Sequence, residues 1–160
     1  ETHYRTTGEE IVQALPQIDV LVAGIGTGGT IPGVGKRLRE ANPNLQIVGV
    51  EPRMGEALQG LRSLSEGYVP PLLDLSMLNR RFMVDSATAI NTTHLIVEKE
   101  GLLAGISSGA TLHAALRVAQ DMDAGNIVVM FSDGGWKYLP ARPWDAARIG
   151  IEDLDETHWW

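Results

Sequence analysis

Directly after the apolar run Val20 to Ala23, the chain places four glycines and two threonines in seven residues, Gly24-Ile25-Gly26-Thr27-Gly28-Gly29-Thr30. Ile31-Pro32-Gly33-Val34-Gly35-Lys36-Arg37-Leu38 follows and reads as the start of a helix, with Pro32 tolerated in the first turn. A strand, a turn free of side-chain bulk and a helix N-terminus together make an anion site. Glycine lets backbone N–H groups face the ligand, and the unpaired N–H groups of the helix add a favourable field. The hydroxyls of Thr27 and Thr30 supply two further donors. A tight structural turn would need the same glycines, so the pattern by itself leaves two readings, phosphate cradle and turn.

Within the phosphate reading, Gly24-x-Gly26-x-x-Gly29 fits the dinucleotide fingerprint. Glu51 stands about 22 residues beyond Gly29, where that fingerprint places its ribose-binding acid. A nicotinamide-dinucleotide domain is therefore one alternative. The Lys-Ser/Thr pair of a nucleoside-triphosphate loop is absent.

With 160 residues the chain suits a single domain, long enough to bury about 70% of the surface its unfolded form exposes. A net charge of −7 without any Lys/Arg block argues against a dedicated nucleic-acid surface. Cysteine is absent, which removes disulfides and thiolate chemistry from this chain, and His3, His94, His113 and His158 form no ligand motif. No metal site is expected. No apolar run reaches membrane-spanning length and no signal-peptide layout is present, so the expectation is a cytoplasmic protein with no membrane partner.

In chain order, Thr6-Thr7-Gly8-Glu9-Glu10 reads as a helix start whose apolar face is Ile11, Val12 and Leu15. Ile18 to Ala23 and Leu45 to Val50 read as buried parallel strands flanking a helix over about Ile31 to Glu40. Residues 52–74 form a long loop of the kind that carries function, with one helical turn expected near Glu56–Leu61. A short helix at Leu75–Asn79, a strand at Arg80–Val84 and a helix over Ala87–Glu100 capped by Asp85 or Ser86 follow. In that helix Ala89, Thr93 and Val97 share a face at spacing four, expected to be buried, with Ile90 and Ile96 flanking it. The next, after Gly105-Ile106-Ser107-Ser108-Gly109, is expected to bury Leu112, Ala115, Leu116 and Ala119. Asn126 to Phe131 is expected to be another buried strand, ending in Ser132-Asp133-Gly134-Gly135. Ligands of open α/β sheets bind beyond the carboxyl ends of strands, so residues 24–30, 101–109 and 132–135 are expected to line one crevice. The fold class is α/β, a three-layer sandwich around a mostly parallel sheet.

Three stretches carry a resemblance to the cysteine synthase family of fold-type II pyridoxal-phosphate enzymes. Gly26-Thr27-Gly28-Gly29-Thr30 resembles that family's cofactor-phosphate loop. Glu100-Gly101-Leu102-Leu103-Ala104-Gly105-Ile106-Ser107-Ser108-Gly109-Ala110 is similar to its glycine-rich segment beside the cofactor ring. His3-Tyr4-Arg5-Thr6-Thr7-Gly8-Glu9-Glu10-Ile11 resembles the segment returning from the small domain to the large one. Leu61-Arg62-Ser63-Leu64-Ser65-Glu66-Gly67-Tyr68-Val69-Pro70 and Gly135-Trp136-Lys137-Tyr138-Leu139 are similar to the lid-like loop and post-strand motif of the actinobacterial-type branch that uses O-phosphoserine.

The resemblance implies pyridoxal 5′-phosphate as cofactor, bound by Gly26, Thr27, Gly28, Gly29, Thr30, Gly105, Ser132 and Asp133. It implies Arg62 on the substrate phosphate. The reaction implied is β-replacement, in which O-phosphoserine or O-acetylserine and a sulfur donor give cysteine through an α-aminoacrylate intermediate. The Schiff-base lysine of the family lies upstream, and Lys36, Lys99 and Lys137 do not stand in its context. No catalytic residue is therefore assigned in this chain. Residues 1–139 are expected to be the C-terminal part of the cofactor-binding large domain. Residues 140–160, ending in Trp159 and Trp160, are expected to be a tail that docks on the active site or a partner. Catalysis is expected only with the N-terminal half, in a homodimer acting on a small amino-acid substrate, with a sulfur-carrier protein as one candidate donor. Gly134 stands where many relatives carry a serine toward the pyridine nitrogen, which leaves Asp133 as the neighbouring candidate. The same phosphate cradle would also serve a cystathionine β-synthase-like enzyme or a serine or threonine dehydratase. A non-catalytic homologue acting as a binding protein is a reading of a different class.

Overall fold

A computed structural model of the chain describes residues 1–141. The part of the expected tail beyond these, including Trp159 and Trp160, lies outside the described residues.

Four parallel strands form one sheet: β1 (Val20–Gly24), β2 (Gln46–Pro52), β3 (Arg80–Val84) and β4 (Ile127–Val129), in the order β3-β2-β1-β4. The helices are α1 (Thr2–Arg5), α2 (Thr7–Ala14), α3 (Thr30–Ala41), α4 (Ser86–Glu100) and α5 (Ile106–Gln120). Alternate side chains of the strands serve opposite faces. Val20, Val22, Val48 and Val50 pack with Ala89, Ile90, Ile106, Ala110, Ala114 and Val118 of α4 and α5. Leu21, Ala23 and Ile47 pack on the other side with Ile31, Val34 and Leu38 of α3 and with Ile11 and Val12 of α2. A sheet covered on both faces needs apolar side chains at every position of its central strands, hence the unbroken runs in β1 and β2. The three-layer expectation is met.

The face of α4 departs from the sequence expectation only at Val97, and that of α5 departs further. In α4 the buried residues are Ala89, Ile90, Thr92, Thr93 and Ile96, and Val97 is exposed. In α5 they include Ala110, Thr111, Ala114, Ala115 and Val118, whereas Leu116 is exposed and so is Ala119. The cause is the close approach of the two helices. A Cβ on Gly109 would overlap the carbonyl oxygen of Ala89 and the hydroxyl of Thr93. So tight a crossing selects small residues, and the larger leucine is turned outward.

The loop 52–74 also departs from expectation. No helical turn forms at Glu56–Leu61. The single 3-10 turn in this stretch lies at Leu64–Glu66, ended by Gly67 at φ +85°. The short helix expected at Leu75–Asn79 is a 3-10 turn, Leu75–Met77, capped by the Asp74 carboxylate on the Ser76 N–H at 2.9 Å. No described helix is long and apolar enough to cross a membrane.

Candidate functional site

The chain steps from β1 to β2 to β3 in one direction across the sheet, then returns to lay β4 on the other side of β1. Connections leaving the carboxyl ends of β1 and β4 must therefore diverge, and a crevice opens between them. A cleft of about 290 Å³ stands there. Gly24, Gly26, Thr27, Gly28, Gly29, Thr30 and Ile31 line it from the β1 side. Ser107 lines it from the start of α5, Ser132, Asp133 and Lys137 from beyond β4, and Gln59, Gly60 and Leu61 from the loop after β2. Stretches separated by about a hundred residues of sequence thus share one wall.

The cradle has the shape of an anion site. α3 begins at Thr30 with Gly29 as its N-cap and no side-chain cap, which leaves first-turn N–H groups without a side-chain acceptor. Gly28 sits at φ +83°, and a Cβ there would stand 2.8 Å from Cβ of Pro70 and 3.2 Å from Cβ of Leu73. A Cβ on Gly26 would stand 2.5 Å from the carbonyl oxygen of Gly60. The glycines thus serve two ends, exposing amide donors and letting residues 60–73 lie against the turn.

Across the cleft, the start of α5 is stitched to the turn after β4. The Gly105 N–H donates to the Asp133 carbonyl at 3.0 Å and the Gly135 N–H to the Leu103 carbonyl at 2.9 Å, with an isolated bridge between Ala104 and Gly134. A Cβ on Gly105 would overlap the Asp133 carboxylate, and one on Gly134 would overlap the Trp136 ring. The Asp133 Oδ2 accepts from the Tyr138 hydroxyl at 2.7 Å and pairs with Lys137 Nζ at 3.7 Å. Burial and then the Asp133 carboxylate push the Tyr138 phenol well above the usual tyrosine range, so it remains a donor. Oδ1 of Asp133 is buried and has no hydrogen-bond partner. That oxygen faces Gly105 behind the cleft wall.

Of the residues singled out from sequence, Gly26, Thr27, Gly28, Gly29, Thr30, Ser132 and Asp133 share this cleft. Gly105 stands just behind the wall, against Asp133. Arg62 is not among the lining residues; its guanidinium lies over the Tyr68 ring, 5.5 Å from the centroid. Its backbone N–H donates to the Ile25 carbonyl at 2.7 Å. Sequence reasoning missed Gln59, Gly60 and Leu61 as cleft residues, because a loop without periodicity gives no sign of which of its residues turns inward.

The dinucleotide reading is overturned. Glu51 is fully buried and accepts from the Leu64 N–H, under the loop and away from the cleft lining, so it offers no carboxylate to a ribose. Neither His3, His94 nor His113 lines the cleft, and His3 Nδ1 stands 3.2 Å from the Thr7 hydroxyl. Among the described residues no group of acidic and histidine side chains is placed to hold a metal ion.

Residues 1–133 match the family model described as pyridoxal-phosphate dependent enzyme. Cysteine synthase of Staphylococcus aureus is 38% identical over 149 residues, covering 87% of this chain and 48% of its own length. The chain therefore spans about half the length of the curated relatives it matches. The crystal structure of a hydrogen sulfide-producing enzyme from Fusobacterium nucleatum superposes with a TM-score of 0.79 at 36% identity, covering 85% of this chain and 50% of that one. That of O-ureido-L-serine synthase superposes with a TM-score of 0.81 at 34% identity, covering 94% and 51%.

Proposed function

The chain belongs to the pyridoxal-phosphate dependent enzyme family, and from that premise we propose that it forms the cofactor-phosphate half of a cysteine synthase-type enzyme. The reaction is replacement of the β-substituent of an activated serine, O-phosphoserine or O-acetylserine, by sulfur. The observation that carries the reading is the convergence of the Gly26–Thr30 cradle and the Ser132–Asp133 turn on one cleft at the sheet's switch point.

When bound, pyridoxal phosphate supplies an aldehyde and an electron-withdrawing ring that acidifies the α-carbon of an amino acid attached to it. The residues of this chain bind and orient. Backbone N–H groups of Gly26, Gly28 and Gly29 and the hydroxyls of Thr27 and Thr30 hold the 5′-phosphate, with the α3 N-terminus adding its field. Gly105, by lacking a side chain, leaves Asp133 its place in the far wall. Ser132 and Asp133 line the wall that would face the pyridine nitrogen, at the turn where Gly134 brings no hydroxyl. Lys137 alone of the three lysines lines the cleft, and its amine is ion-paired with Asp133. The Schiff-base lysine is assigned to an upstream half supplied with this chain.

Arg62 engages the phosphate of O-phosphoserine after leaving the face of Tyr68; a guanidinium fork matches a phosphate in a way it does not match an acetyl ester. The test uses the enzyme assembled with its N-terminal half. R62Q is expected to lower kcat/KM for O-phosphoserine by about tenfold or more, and to leave O-acetylserine within about twofold. Equal losses on the two substrates would remove Arg62 from phosphate recognition.

A further inference from the structure

The residue that the dinucleotide fingerprint claimed has a different task. Glu51, near the end of β2, is the one acidic side chain that is fully buried among the described residues. Its Oε2 accepts from the Leu64 N–H at 2.5 Å. Its Oε1 has no hydrogen-bond partner, and the nearest cation, the Arg81 guanidinium on β3, stands 3.6 Å away and is half exposed. Burying a carboxylate on such thin compensation is costly, and a leucine would fill the space at less expense. The side chain is therefore explained by what it holds.

What it holds is the roof of the cradle. Residues 60–64 cross above Ile25 and Gly26, with the Gly60 carbonyl where a Gly26 side chain would be. Two backbone donors fasten this segment to the sheet. The Arg62 N–H bonds the Ile25 carbonyl at 2.7 Å, and the Leu64 N–H bonds Glu51. Ile25 is itself fixed, its N–H on the Val50 carbonyl at 2.7 Å, one residue before Glu51. Cradle and roof thus hang from adjacent residues of β2. The Leu64 side chain is buried in the core on the α3 side and Leu58 and Leu61 pack into the other cluster, so that the two polar ties act on a segment already seated by apolar contacts.

We propose that Glu51 is a positioning residue for the phosphate site. Its carboxylate fixes the 60–64 segment, and through it the Gln59–Leu61 wall, at the height that closes the cradle around an anion. The proposal rests on the phosphate reading of the cleft for its ligand, though its structural arm stands without any ligand.

The experiment is amide hydrogen exchange, read by mass spectrometry on the enzyme assembled with its N-terminal half and on its E51Q variant. Gln keeps the shape and an acceptor but loses the charge-assisted bond and the link to Arg81. Exchange in peptides spanning 58–67 is expected to rise about tenfold, while peptides from β1 and α5 keep the wild-type rate. Unchanged exchange over 58–67, or a rise shared equally with β1 and α5, would overturn the proposal, since the second is what a merely structural core residue gives. Should E51Q fail to fold, R81Q, altered at a half-exposed position, carries the same test with the same two contrary outcomes, its expected rise being smaller, about threefold. Equilibrium dialysis with pyridoxal phosphate separates the two readings. Weaker retention by the variant than by wild type is expected. Binding that is equal in both overturns the positioning role, and no binding by wild type removes the phosphate reading on which that role depends.

Discussion

At the scale of single residues, two glycines separate backbone strain from crowding. Gly28 and Gly55 share nearly the same left-handed backbone, φ +83° and +82°, yet nothing lies within 4 Å of a Cβ on Gly55 whereas Pro70 and Leu73 crowd one on Gly28. An L-residue in that region costs about 1–2 kcal/mol. G55A should therefore lose about that much, and G28A about 1–3 kcal/mol more as the loop is pushed off the cradle, measured by denaturant unfolding. Equal losses would mean that the loop yields freely at Gly28. That the Gly24–Thr30 turn and residues 132–135 share one crevice is legible in the sequence, because glycines and hydroxyls gathered at strand ends are tied to short-range backbone geometry, whereas Asp133 is singled out only by the family resemblance. Glu51 is legible as unusual, but its spacing from the cradle points to the wrong task, since position along the chain carries no information on whether the loop beyond it folds back over it.

At the scale of elements, α4 shows how a helix start signal becomes a source of stability. Asp85 caps it, its Oδ1 accepting from the Thr88 N–H at 2.8 Å and its Oδ2 from the Thr88 hydroxyl at 3.0 Å. Burial pushes the Asp85 carboxyl up, but the Thr88 bonds outweigh it and hold the carboxyl below its ordinary value. A folded value below the unfolded one gives stabilisation that is present above the unfolded pKa and lost as pH falls through the folded one. D85A should therefore cost about 1 kcal/mol at neutral pH, and the gap between variant and wild type should close below about pH 4. A gap that stays constant down to acid unfolding would contradict the cap. Strands β1 and β2 and the bounds of α3 and α4 are readable from apolar runs, caps and glycine punctuation. The face of α4 is readable but for Val97, whereas that of α5 is not, because Gly109 sets their separation and only the assembled pair shows that small side chains are the buried ones.

At the scale of the whole molecule, strand order does what no motif does alone. The turn after β1 and the turn after β4 are neighbours only because β4 lies beside β1, and that pairing turns a glycine cradle and a Ser132–Asp133 turn into two walls of one cleft. Beside it, Leu102, Leu103, Trp136 and Leu139 remain exposed, surface of the kind that the remainder of an enzyme twice this length would cover under the proposed function. The central claim, that the Gly26–Thr30 cradle holds the phosphate of pyridoxal phosphate, is tested most directly by dialysing the enzyme assembled with its N-terminal half against pyridoxal phosphate and, separately, pyridoxal. The phosphorylated form should be retained at least about tenfold above the other, with that retention abolished by G28A and displaced by inorganic phosphate. Equal retention of the two, or none of either, would contradict the claim.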